Sequence, residues 1–106
     1  DGTFSRDFTY IDNVVQANVK AMLIDNKYCF GTAINIGAGG QYSIQDLFDI
    51  LQEKLNFEGE PIYGAVRQGD IPHSNADILK AQVMLEYSPT VDFNEGIEKT
   101  VDYYLL

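Results

Sequence analysis

The sequence has little positive charge. Only seven of its 106 residues are lysine or arginine, against sixteen aspartates and glutamates, and the formal net charge is −9. A nucleic-acid-binding surface needs clustered lysine and arginine, and so does a surface that binds anionic lipid. The composition therefore argues against nucleic acid and against a membrane as partners.

Cysteine and histidine are equally scarce, with one residue each, Cys29 and His73. One cysteine excludes an internal disulfide and a four-cysteine metal site, and one histidine does not make a zinc site, so we predict no metal. Cys29, between two aromatic residues, is predicted to be a small buried apolar residue. A lone histidine without a partner nucleophile is a poor catalytic candidate, so His73 is predicted to have a hydrogen-bonded structural or substrate-rim role.

Long apolar runs are also missing. No stretch has the length of a membrane span, and the first residues do not form a signal peptide. Together with the single cysteine, this favours a reducing, cytoplasmic compartment. The length predicts one domain over residues 1–106. Because the chain starts at Asp1, without a methionine and in a polar, turn-forming stretch, we expect a piece of a larger protein in preference to a processed mature chain.

The apolar periodicity predicts an α/β fold with the order β-α-β-α-β-α-α. Strands are predicted at 7–11, 32–36 and 62–66. Two helices are predicted at 13–26, with Asp12 as N-cap, and at 43–56, with a capping box opened by Ser43. A third is predicted from about Asp77 to a stop at Ser88-Pro89. A fourth is predicted from about Phe93 to Tyr104, with Asp92 or Asn94 near its cap.

A glycine-rich turn, Gly37-Ala38-Gly39-Gly40, joins a predicted strand to a predicted helix. Such turns can bring a phosphate close to backbone N–H groups. Its glycines, however, lack the G-x-G-x-x-G spacing of dinucleotide sites, and no P-loop lysine follows. We therefore predict that the glycines serve a sharp change of chain direction.

The two arginines are the strongest binding candidates. Arg6 stands in Arg6-Asp7-Phe8 and Arg67 in Arg67-Gln68-Gly69-Asp70. Two guanidiniums can grip one phosphate or diphosphate bidentately if the fold brings them together, and Asp70 can accept hydrogen bonds from a vicinal diol such as a ribose. The alternative is that each arginine pairs with a nearby carboxylate on the surface, an arrangement that contributes little.

Six short motifs in order cover nearly the whole chain: Arg6 to Asp12, Asn35-Ile36-Gly37-x-Gly39, Arg67-x-Gly69-Asp70, Ala76-Asp77-x-x-Lys80-Ala81, Leu85-x-Tyr87-x-Pro89, and Gly96-Ile97-x-x-Thr100-x-x-Tyr103-Tyr104. In this order they resemble the C-terminal part of the extended short-chain dehydrogenase/reductases, the NAD-dependent sugar-nucleotide epimerases and dehydratases. The stretch from Gly69 to Asp77 looks most like UDP-N-acetylglucosamine 4-epimerases and their UDP-glucose 4-epimerase kin.

The resemblance implies a function and site residues. Arg6 and Arg67 would hold the UDP diphosphate and Asp70 the uridine ribose of a UDP-hexose 4-epimerase. The fold would be a C-terminal fragment of an extended Rossmann-type fold, with few short strands and about four helices. The parent would be a cytoplasmic enzyme of nucleotide-sugar metabolism and carbohydrate biosynthesis, and a homodimer.

The resemblance also implies what this stretch does not hold. NAD would be bound by an N-terminal Rossmann domain, and the catalytic Tyr-x-x-x-Lys would lie upstream. No catalytic and no cofactor-binding residue is therefore assigned here, and the fragment alone is expected to be inactive. The same region of a 4,6-dehydratase or reductase, or a non-catalytic binding or assembly module, remains an alternative.

Overall fold

The computed structural model describes all 106 residues as four helices and one small sheet. The helices are α1 (Ile11–Leu23), α2 (Ile44–Leu55), α3 (Leu79–Leu85) and α4 (Phe93–Leu105), and a 3-10 turn covers Lys27–Cys29. The strands are β1 (Ser5–Arg6), β2 (Tyr42–Ser43) and β3 (His73–Ser74). The predicted α/β class, with few short strands and four helices, is confirmed.

The helix starts show which local signals decide the structure. The capping box of α2 is confirmed, because the Ser43 hydroxyl accepts from the Asp46 N–H and the Asp46 carboxylate accepts from the Ser43 N–H. Asp92 caps α4 as predicted. The predicted cap of α1 is wrong. The helix begins at Ile11 without a side-chain cap, and Asp12 lies in its first turn, where negative charge favours the helix dipole.

The three predicted strands are also misplaced. The segments 7–11, 32–36 and 62–66 contain no strand, and pairing occurs instead at 5–6, 42–43 and 73–74. A strand needs a neighbour to receive its backbone hydrogen bonds. Residues 32–36 have none, and the Ala33 carbonyl accepts from the Lys80 ammonium instead. Residues 62–66 run along the surface, with the side chain of Ile62 almost fully exposed.

Strand β1 is the centre of the sheet, in the order β2-β1-β3. It pairs antiparallel with β2 and parallel with β3, so that Ser5 stands opposite both Ser43 and His73. Residues that lie far apart in sequence are thereby brought to one short strand.

The main apolar cluster lies between α1, α3 and the chain that follows α3. Its buried members are Ala17, Ile78, Ala81, Leu85 and Tyr87. The half-buried Cys29 packs against this cluster, so Cys29 is less buried than predicted. A second contact stacks the Tyr42 ring on Phe93, with 4.0 Å between ring centroids. Only 12 residues of the chain are buried, which is a small core for a domain of this length.

Candidate functional site

Arg6 projects from β1 into a cleft of about 320 Å³. Its guanidinium donates from Nη1 to the Ser5 carbonyl at 2.7 Å and to the Pro72 carbonyl at 3.5 Å. The cleft is otherwise lined by small and polar residues: Asp7, Asn35, Ile36, Ser74, Asn75 and Ala76. One nitrogen of the guanidinium is thus used to fix the side chain, and the remaining donors are left for a ligand.

Arg67 and Asp70 are the ends of one tight turn. The Asp70 N–H donates to the Arg67 carbonyl at 3.1 Å, and Gly69 has φ +89°, a left-handed conformation in which other residues are strained. Both side chains are exposed and line a second cleft of about 360 Å³. Gly69 is therefore the residue that lets the chain turn between Arg67 and Asp70.

The structure therefore brings together Arg67 and Asp70 but places Arg6 in a neighbouring cleft. Both clefts are lined in part by β1 or by the chain just before it. Phe4, just before this strand, lines the cleft of Arg67, and Arg6 lines the other. The Pro72 carbonyl accepts from both the Ser5 N–H, at 2.8 Å, and the Arg6 guanidinium. A ligand that contacts both arginines must therefore occupy both clefts.

Neither arginine forms an ion pair. The sole ion pair in the chain joins Lys99 to Glu95 at 3.3 Å on the surface of α4. The alternative that each arginine pairs with a nearby carboxylate is therefore wrong for this structure. An unpaired guanidinium beside a polar cleft keeps its charge and its fork of donors available for an anion.

The glycine turn has a structural role. The Asp7 carboxylate accepts from the Ala38 and Gly39 N–H groups, each at 3.1 Å, so these amides are already occupied and offer no cradle for a cofactor phosphate. The Tyr87 hydroxyl donates to the Gly37 carbonyl at 2.6 Å. Burial, and to a smaller degree the charge of Asp7, raises the pKa of Tyr87 above its ordinary value of 10.0.

His73 has a partner that sequence reasoning missed. Its Nδ1 lies 2.6 Å from the Ser5 hydroxyl oxygen, and the Gln41 side-chain amide donates a hydrogen bond to that oxygen at 2.9 Å. The predicted hydrogen-bonded role is confirmed. No sequence signal could have found the pair, because 68 positions separate the two residues and only the β1–β3 register brings them together.

No group of three histidine, cysteine, aspartate or glutamate side chains lies close enough to hold a metal ion. None of the helices has both the length and the apolar character that crossing a bilayer requires.

Comparison with known proteins identifies the fold. No protein-family profile matches the chain. It is 37% identical over 103 residues to a putative UDP-glucose 4-epimerase of Methanocaldococcus jannaschii. The matched region covers 97% of this chain and 32% of that protein. The structure matches UDP-glucose 4-epimerase from Thermotoga maritima, solved with UDP-glucose, with a TM-score of 0.90 and 36% identity over 99% of this chain and 33% of the other.

A second solved structure agrees. UDP-glucuronic acid 4-epimerase from Bacillus cereus, in complex with UDP-glucuronic acid and NAD, matches with a TM-score of 0.90 and 37% identity over 97% of this chain and 32% of the other. The chain is similar to one third of a UDP-sugar 4-epimerase. The predicted resemblance to extended short-chain dehydrogenase/reductase epimerases is thereby confirmed, and the chain spans about a third of the length of the relatives it matches.

Proposed function

We propose that residues 1–106 form the C-terminal, UDP-sugar-binding part of an NAD-dependent UDP-hexose 4-epimerase. The observation that carries this proposal is the match of almost the whole chain, at a TM-score of 0.90, to epimerases solved with UDP-glucose and with UDP-glucuronic acid. The dehydratase, reductase and non-catalytic alternatives are not favoured, because the relatives reported above are 4-epimerases.

Arg6, Arg67 and Asp70 are the proposed ligand residues. Each arginine has guanidinium donors left unpaired by the fold, which suits the two phosphates of UDP. Asp70 is exposed at the end of the same turn as Arg67, where its carboxylate can accept from the two hydroxyls of a ribose. The chain has a net charge of −9, which repels an anionic ligand, and the guanidiniums of Arg6 and Arg67 offset this repulsion at the site.

The oxidation and reduction at the sugar are proposed to depend on residues outside this stretch. NAD supplies hydride transfer when bound, but the residues of this chain do not fit it, since the amides of the glycine turn are held by Asp7. No Tyr-x-x-x-Lys occurs in the sequence. The chain by itself is therefore expected to bind a UDP-sugar without catalysing its epimerisation. We also propose that the parent protein is a cytoplasmic homodimer.

Calorimetric titration with UDP tests the assignment. We expect Arg67→Ala or Arg6→Ala to weaken UDP binding, since each loses a charge-assisted hydrogen bond of about 1.5–3 kcal/mol. Arg67→Lys is expected to weaken it too, because an ammonium lacks the planar fork. Asp70→Asn is expected to have a smaller effect.

Lys27→Ala is the matched control, because it removes one positive charge from an exposed side chain that lines neither cleft. Equal UDP affinity for wild type, both arginine-to-alanine variants and the lysine control would contradict the assigned site.

A further inference from the structure

The turn that carries Arg67 and Asp70 has little apolar anchorage. Every residue from 62 to 75 is exposed, including Ile71 and both residues of β3. Two-residue strands contribute little stability by themselves. Besides the β1–β3 pairing itself, backbone hydrogen bonds tie this segment to β1 from the Ser5 N–H to the Pro72 carbonyl, at 2.8 Å, and from the Asp7 N–H to the Ser74 carbonyl, at 3.1 Å.

A side-chain hydrogen bond reinforces these ties. The Ser5 hydroxyl lies 2.6 Å from His73 Nδ1, and Ser5 is only 5% exposed. The Gln41 amide donates to the same hydroxyl oxygen, so the hydroxyl hydrogen is free to point at Nδ1. We assign His73 as the acceptor, with its ring proton on Nε2, because the hydroxyl then donates to Nδ1 while it accepts from Gln41. A short bond at a buried serine is stronger than an exposed contact of the same kind.

The Ser5–His73 bond lies close in sequence to the proposed ligand residues on both of its strands. Arg6 directly follows Ser5 on β1, and Asp70 precedes His73 by three residues. Arg6 also reaches the Pro72 carbonyl on the approaching chain. A shift of β3 away from β1 would carry Asp70 and Arg67 away from Arg6, and one diphosphate could then no longer contact both guanidiniums at full strength.

We infer that Ser5 and His73 are positioning residues: their hydrogen bond holds the turn of Arg67 and Asp70 against β1, so that this turn and Arg6 can bind one nucleoside diphosphate together. This inference rests on the proposed function. Neither side chain is proposed to contact the ligand, and Gln41 supports the bond by fixing the direction of the hydroxyl.

Two histidine variants separate the bond from the bulk of the ring. Asparagine places its Oδ1 as many bonds from the backbone as Nδ1 is, whereas glutamine reaches one bond further. We expect Ser5→Ala and His73→Gln to weaken UDP binding about three- to tenfold, the range for loss of one neutral hydrogen bond. His73→Asn is expected to stay within about twofold of wild type, because it retains the acceptor.

Hydrogen exchange of the amides at positions 5 and 7 provides a second readout. Ser5→Ala and His73→Gln should accelerate exchange there while the Val101 amide in α4 stays protected, and His73→Asn should restore the wild-type rates. Faster exchange with unchanged UDP affinity would reduce the bond to a structural one and overturn the inference.

The outcomes also distinguish the two proposals. If Arg67→Ala weakens UDP binding but Ser5→Ala and His73→Gln bind as wild type, the positioning role is wrong and the proposed function stands. If wild type and Arg67→Ala both fail to bind UDP, the proposed function is contradicted, and the positioning role is overturned with it.

Discussion

At the scale of single residues, Asn13 has the largest predicted effect on stability. Its side chain is fully buried, donates to the Val91 carbonyl at 2.8 Å, and accepts from the Thr90 and Val91 N–H groups. It therefore fastens α1 to the segment that leads into α4. We expect Asn13→Ala to lower the free energy of unfolding by about 2–3 kcal/mol, because buried backbone groups lose their partners.

Urea unfolding measures this change. Asn18→Ala is the control on the same helix, since Asn18 is exposed and bonds only within its own helix. It is expected to cost less than about 0.5 kcal/mol. Equal effects of the two variants would show that the buried amide contributes no more than an exposed one.

Tyr87 makes stability depend on pH in the alkaline range. Its pKa in the folded chain is raised above 10.0, so the folded state holds its proton more tightly than the unfolded state does. The stabilisation is complete below the unfolded pKa and is lost as pH rises from about 10 through the folded pKa. Tyr87→Phe should remove the part of the decline that begins near pH 10, and it should lower stability at neutral pH because the Gly37 carbonyl loses its hydrogen-bond donor.

The unfolding free energy measured as a function of pH tests this role. A Tyr87→Phe profile that runs parallel to that of wild type would contradict the role of the buried hydroxyl. Tyr104→Phe, which removes a hydroxyl from a side chain that is 78% exposed, is the control for the loss of stability at neutral pH.

At the scale of elements, the start of α2 depends on its reciprocal cap. Ser43→Ala removes the acceptor of the Asp46 N–H and is expected to cost about 1 kcal/mol, or roughly 4–8 °C in melting temperature. Ser43→Thr keeps a hydroxyl at the cap and should recover most of this loss. Ser88→Ala serves as control, because the hydrogen bonds of Ser88 are formed by its backbone N–H and carbonyl, with the Gln16 side chain, and not by its hydroxyl. A melting temperature for Ser43→Ala equal to that of Ser88→Ala would contradict the cap.

The helices were predictable from sequence and the strands were not, for a physical reason. A cap such as Ser43 or Asp92 acts on amides three residues away, so its pattern is visible in sequence. A strand is decided by a distant partner, and residues 32–36 have strand-like composition but no such partner. The site divides in the same way. Arg67 and Asp70 share one turn and could be grouped from sequence, whereas the Ser5–His73 bond depends on the register of β1 and β3.

At the scale of the whole molecule, the chain is a thin slab. Its extents are 51 × 36 × 16 Å and its radius of gyration is 16.5 Å, against about 13 Å for a compact domain of this length. Its accessible surface of 7684 Å² exceeds that of a compact monomer of the same mass by about 1,700 Å². Each partner in a standard protein interface contributes about 800 Å², so the excess is large enough for a stable interface.

We therefore expect the isolated chain to self-associate through apolar surface. A groove of about 280 Å³ is lined mainly by apolar side chains, among them Ile24, Phe30, Ile34 and Ile36. The net charge of −9 opposes association, and salt screens it, so sedimentation should show more dimer or higher oligomer at high salt. Phe30→Glu, in the groove, should reduce association, and Ile62→Glu, an exposed position outside it, should not. A monodisperse monomer at low and high salt would contradict this expectation.

The most direct measurement of the proposed function uses the presence of only two arginines. Each gives one Nε–H resonance, which Arg6→Lys and Arg67→Lys assign. In a titration with UDP, we expect both resonances to shift along one common binding curve, and uridine, which lacks the diphosphate, to leave both in place. Resonances that stay fixed at saturating UDP, or that shift along two unrelated curves, would contradict a single diphosphate site formed by Arg6 and Arg67.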